Sequence, residues 1–221
     1  MNMPTRRILY GLLLGLLAVA AMAVALEISG KRQRSPVVTG EALVGGPFTL
    51  VDPRGASVSD TDFAGRYMLI YFGYTHCPDV CPLALQKMSM ALDILTAEGI
   101  DLAPLQPIFI TVDPARDSAA VMGDYIAAFH PSLIGLTGSS EAIAVVATAY
   151  LVSSARTDAN GKADMDGMEN MGDMGKMEDG GYLMAHSSVI YLMGPDGRYV
   201  SHFNAIATPG DIAARLRPLL D

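Results

Sequence analysis

The chain has no tryptophan, only two cysteines, and no cluster of Lys or Arg beyond Arg34. The missing basic footprint, together with a formal net charge of −8, excludes nucleic acid as a partner and leaves cations or a basic protein surface. Two cysteines cannot make a disulfide framework, and a chain of 221 residues buries a core large enough not to need one. Cys77 and Cys81 are therefore free for chemistry.

One long apolar run is present. Ile8 to Leu26 holds 19 consecutive uncharged residues, preceded by Arg6 and Arg7 and followed by Glu27, Lys31, Arg32 and Arg34. It spans roughly 28 Å as a helix, the thickness of a bilayer core. Residues 1–28 thus read as a membrane anchor. A cleaved signal peptide is the rival, with Ala21-Met22-Ala23 as its small-residue site, but the run is longer than a usual apolar region of about 7 to 15 residues. Residues 29–46, rich in Gly and polar groups, read as a linker, and 47–221 as the folded domain.

Within that domain strands and helices alternate. Phe48–Val51 and Ala56–Val58 flank the turn Asp52-Pro53-Arg54-Gly55, an N-terminal hairpin. Tyr67–Phe72 and Pro107–Val112 are apolar on both faces, as central parallel strands are. Leu85, Met88, Leu92 and Leu95 recur at helical spacing up to Gly99. Asp117 or Ser118 caps a helix running to Phe129, Leu133–Leu136 is a short strand, and Ser139 or Ser140 opens a helix to about Tyr150. Ser188–Met193 and Arg198–Phe203 form a hairpin about Gly194–Gly197, and Thr208-Pro209-Gly210-Asp211 starts the last helix. The fold class is α/β, a mixed central sheet flanked by helices. Residues 153–181 are Gly- and Asp-rich, without apolar period, and read as a flexible insertion.

Tyr71-Phe72-Gly73-Tyr74-Thr75-His76-Cys77-Pro78-Asp79-Val80-Cys81-Pro82 follows the first central strand. Functional groups gather beyond the C-terminal ends of parallel strands, and His186, before the strand starting at 188, falls at the same edge. Two thiolates favour copper(I) or zinc, and an added imidazole suits copper in both oxidation states. The two sulfurs at i and i+4 also fit a redox pair. Two buried apolar cysteines are disfavoured because Pro78 and Asp79 place them in a loop. His202 competes with His186 for the edge, His76 reads as a loop residue, and His130 as a helix-end residue.

Cys77–Pro82 with its upstream flank closely resembles the motif of the Sco/SenC copper proteins, and Thr111–Asp117, His186-Ser187-Ser188, Tyr191-Leu192 and Pro195-Asp196-Gly197 match as well. The resemblance covers roughly residues 46–221. It implies a thioredoxin-like fold and a membrane-tethered copper chaperone that helps assemble the binuclear copper centre in subunit II of cytochrome c oxidase. The ligands it implies are Cys77, Cys81 and His186, with Asp113 touching a ligand rather than the ion. A thioredoxin would have two residues between its cysteines, whereas three intervene here, and Ala185-His186-Ser187 stands where its proline would. A peroxidatic cysteine would want Thr where Tyr74 stands.

The insertion adds something of its own. Met165, Met168, Met171, Met174 and Met177 recur at a strict interval of three, amid six acids and one lysine that leave residues 163–181 at −5. Such a period drifts around an α-helix, so this is no core face. Thioethers are soft ligands that prefer copper(I), so the segment reads as a copper(I)-collecting arm, against a plain acidic low-complexity loop. Two other functions stay open: a thiol:disulfide oxidoreductase that keeps the oxidase cysteines reduced through Cys77 and Cys81, and a structural zinc site. The expected setting is a bacterial inner membrane with the domain in the periplasm, since no Arg- and Ser-rich transit peptide is present. Expected partners are oxidase subunit II, another periplasmic copper chaperone and a thiol reductant.

Overall fold

The computed structural model describes residues 44–157, 183–186 and 188–221. The anchor at 1–28, most of the linker and the five methionines of the insertion lie outside the described residues. The elements run β1 (Thr49–Val51), β2 (Ser57–Ser59), β3 (Tyr67–Gly73), α1 (Val80–Ala97), β4 (Leu105–Thr111), α2 (Ala119–Ile126) and β5 (Ile134–Leu136). They continue through α3 (Ser140–Ala149), β6 (Ser154–Thr157), β7 (Leu183–His186), β8 (Ile190–Met193), β9 (Tyr199–Phe203) and α4 (Pro209–Leu220).

The main sheet has the order β5-β4-β3-β8-β9. β3 lies at its middle, parallel to β4 and antiparallel to β8, and all of it but Tyr67 is buried. A strand covered on both faces has no polar side to show, which is why its sequence is a continuous apolar run. β4 and β5 pair in parallel, and β8 and β9 antiparallel. The mixed sheet flanked by helices is thus as expected, and the N-terminal hairpin is present as β1–β2, tied to the chain after β5 by a bridge between Val51 and Thr137.

Helix starts follow their caps. Ser118 Oγ accepts from Val121 N, Ser139 Oγ from Ala142 N, and Thr208 with Asp211 forms a capping box behind Pro209. α1 turns Leu85, Met88, Ala91, Leu92 and Leu95 inward and packs against α4, which buries Ile212, Ala213, Leu216 and Leu220.

Two boundaries differ from the sequence reading, and one cap is decided between its two candidates. α2 ends at Ile126 rather than Phe129, because Pro131 disfavours helical backbone in the residue before it and the chain turns ahead of that point. Asp117 is not a cap; Ser118 is, and the Asp117 side chain is used elsewhere. The insertion expected from 153 does not start there: Ser154–Thr157 forms β6 and pairs antiparallel with β7, Ser154 opposite His186. His186 therefore ends a strand of its own, β7, instead of standing at the entry to β8.

Candidate metal centre

β3 is buried to its last residue, so the chain leaves it at Gly73 inside the domain and not at the surface. Tyr74 is 2% exposed, and its carbonyl accepts from Cys77 N at 3.3 Å, closing a tight turn that brings Cys77 back beneath the loop. α1 begins at Val80, which puts Cys81 in its first turn. The Cys81 backbone N–H donates to Cys77 Sγ at 3.5 Å, so both sulfurs lie at the helix N-terminus, where the helix dipole and free N–H groups favour negative charge.

Both cysteines are reduced, and both are buried, Cys77 at 7% and Cys81 at 0% exposure. This corrects the expectation that Pro78 and Asp79 would hold them in an open loop: those two residues are exposed while the cysteines on either side turn inward. Burial pushes the Cys81 thiol up to about 12, with the neighbouring Cys77 adding to the shift. The Tyr71 hydroxyl donates to Cys81 Sγ at 3.8 Å, and burial beside the cysteines raises this phenol well above its ordinary range. Gly73 makes room for the sulfur: a Cβ there would stand 2.8 Å from Cys81 Sγ.

Tyr74 connects the second half of the site. Its hydroxyl is hydrogen-bonded to Cys77 and to the backbone of Met184 in β7, and its ring lies under Arg116, whose guanidinium carbon is 5.6 Å from the ring centroid. Position 186 lies two residues further along β7, on the same side of the strand as Met184. Asp113 is 2% exposed, and its carboxylate pairs with Arg116. It reaches the cysteines through Arg116 and Tyr74.

Asp117, fully buried, fastens the loop to the next strand. It accepts from Thr75 N at 3.0 Å, Thr75 Oγ1 at 2.6 Å and Thr111 Oγ1 at 2.6 Å. Thr75, Asp117 and Gly73 were missed from sequence; polar residues at the ends of two adjacent central strands were the available signal. The competing histidines lie elsewhere. His202 sits on β9, separated from β3 by β8, and bonds Tyr199; His130 bonds Ser132 and Ser89 at the end of the α2 turn.

Among the described residues no three His, Cys, Asp or Glu side chains converge as a metal cluster. What the described residues provide is a pair of soft sulfurs at a helix N-terminus, in a dry pocket, next to the strand that carries residue 186. A soft, low-coordinate ion such as copper(I) fits that donor set; a hard, oxygen-seeking cation does not.

The sequence profile of the SCO1/SenC family matches residues 37–221. The mitochondrial SCO2 homolog of Bos taurus is 40% identical over 85% of this chain and 64% of its own length. The human mitochondrial SCO1 homolog is 38% identical over 86% of this chain and 56% of its own length, so the chain spans under two thirds of either relative. Among solved structures, Bradyrhizobium japonicum ScoI with copper bound superposes with a TM-score of 0.64 at 40% identity, covering 79% of this chain and 98% of that one. Arabidopsis thaliana ScoI, also with copper bound, gives 0.65 at 36% identity over 78% of this chain and 95% of that one. The chain belongs to the SCO1/SenC family.

Proposed function

We propose that the chain is a membrane-tethered copper chaperone that helps assemble the binuclear copper centre of cytochrome c oxidase subunit II. The observation that carries this reading is the pair of reduced, adjacent sulfurs at the start of α1, in a chain whose relatives of similar fold hold copper. Cys77, Cys81 and His186 bind the ion. Each thiol gives its proton to solvent as copper takes its place, and the positive ion offsets the cost of a buried thiolate that metal-free Cys81 avoids by staying protonated. Asp113 steadies the site through Arg116 and Tyr74. Residues 1–28 anchor the domain, residues 29–46 tether it, and it works in the periplasm of a bacterial inner membrane with a copper donor and a thiol reductant.

A second reading has its own support. Two reduced thiols four positions apart, one accepting an N–H from the residue of the other, can also serve as a disulfide-forming pair that reduces the oxidase subunit's cysteines. The variant His186→Ala separates the two. A chaperone loses copper affinity by at least about tenfold and keeps its thiol exchange; unchanged affinity removes His186 from the ligand set and favours the reductase.

Met165, Met168, Met171, Met174 and Met177 collect copper(I) for this domain as weak thioether ligands. Deleting residues 163–179 and counting bound copper(I) tests this: a lower count supports the arm, and an unchanged count and affinity rules it out.

A further inference from the structure

The two sulfurs present a problem of access. Cys77 is 7% exposed and Cys81 not at all, so an ion held by a carrier protein cannot reach them directly. One donor beside them is open. The His76 side chain, next to Cys77 in the chain, is 52% exposed.

Its hydrogen bonds determine which ring nitrogen is free. Asp117 receives three donors, Thr75 N–H, Thr75 Oγ1–H and Thr111 Oγ1–H, within 3.0 Å. Both carboxylate oxygens are thereby used as acceptors, Oδ1 by the Thr75 hydroxyl and Oδ2 by Thr75 N–H and the Thr111 hydroxyl. Thr75 therefore directs its only hydroxyl proton to Asp117, and its oxygen is left to accept. His76 Nδ1 lies 3.0 Å from that oxygen and 3.6 Å from Asp117 Oδ1. Both neighbours accept, so Nδ1 carries the proton, and in the neutral imidazole the lone pair is on Nε2. An imidazole held through one nitrogen by a hydroxyl that is itself fixed by a carboxylate, with the other nitrogen bearing its lone pair, is arranged as proteins orient a metal-binding histidine.

We propose that His76 is the receiving ligand of this chain: Nε2 takes copper from the carrier and passes it to Cys77 and Cys81, with Asp117 and Thr75 as positioning residues. The inference rests on the copper reading above. Transfer is a ligand exchange at constant oxidation state. His76 Nε2 replaces a donor of the carrier, then Cys77 and Cys81 replace Nε2, each losing its thiol proton to solvent. Thiolates outcompete imidazole for copper(I), so the ion moves inward downhill.

The test is loading kinetics of the full chain in detergent, with copper(I) bicinchoninate as the donor. His76→Gln, which lacks the imidazole lone pair, is expected to load about tenfold more slowly while binding the same amount of copper with the same final affinity. Thr75→Val should slow loading as well, and Thr75→Ser should restore the wild-type rate. In the metal-free chain, nitrogen-15 shifts of His76 should show the Nδ1–H tautomer, a readout independent of copper. Loading of His76→Gln at the wild-type rate, or an Nε2–H tautomer, overturns the inference and leaves the copper reading standing. A wild-type chain that takes up no copper overturns both.

Discussion

At Gly73 an added Cβ would stand 2.8 Å from Cys81 Sγ and 3.0 Å from ring atoms of both Phe109 and Tyr71. None of the three can retreat without moving another, since Cys81, Phe109 and Tyr71 are all at 0% exposure. Gly73→Ala should therefore cost about 1–3 kcal/mol by overpacking, read from urea unfolding of the metal-free chain. An unchanged midpoint would mean that the sulfur has room to move. Cys81 itself gives the metal-free chain a pH signature. Its thiol titrates at about 12 in the folded state and near 8.5 unfolded. Below about 8.5 this thiol is protonated in both states and contributes no change with pH. Above that, the unfolded chain releases a proton that the folded one keeps, so stability falls, by at most about 1.4 kcal/mol per unit, until the folded thiol titrates too. Comparing the wild type with Cys81→Ser between pH 8 and 10.5, the wild type should lose more stability; parallel curves would contradict the burial of this sulfur.

Among the elements, α4 is the one whose start is spelled out most fully in residues. Thr208 Oγ1 accepts from Asp211 N, the Asp211 carboxylate accepts from Thr208 N, and Pro209 supplies a helix-compatible φ at the first position. α4 then buries four residues and packs against α1, the helix that carries Cys81. Thr208→Ala should lower domain stability by about 1 kcal/mol. Because the box is far along the chain from the sulfurs, copper stoichiometry should not change. A loss of copper at full stability would show that α4 holds the site in a way its packing does not reveal. The pair β6–β7 is the contrasting case. Its strands are short and separated by the acidic, methionine-bearing segment, with no two-residue turn between them to announce a hairpin. No local pattern marks Ser154–Thr157 as a strand; the pairing with 183–186 does.

For the molecule as a whole, legibility followed locality. The buried strands β3 and β4, the caps at Ser139 and Thr208 and the dithiol motif are contained within a few residues each, and all are legible in the sequence alone. What was not readable depends on distant parts of the chain meeting. Asp117 looks like a helix cap beside Ser118 until Thr75, 42 residues away, is seen to bond it. The seating of Cys81 depends on Gly73 and Tyr71 across the gap between strand and helix. The most direct trial of the central claim is copper X-ray absorption on the copper(I)-loaded full chain and its His186→Ala variant. The account predicts two sulfur neighbours and one nitrogen in the wild type, with the nitrogen lost and the sulfurs kept in the variant. A spectrum that His186→Ala leaves unchanged, or one without paired sulfur neighbours, would contradict it.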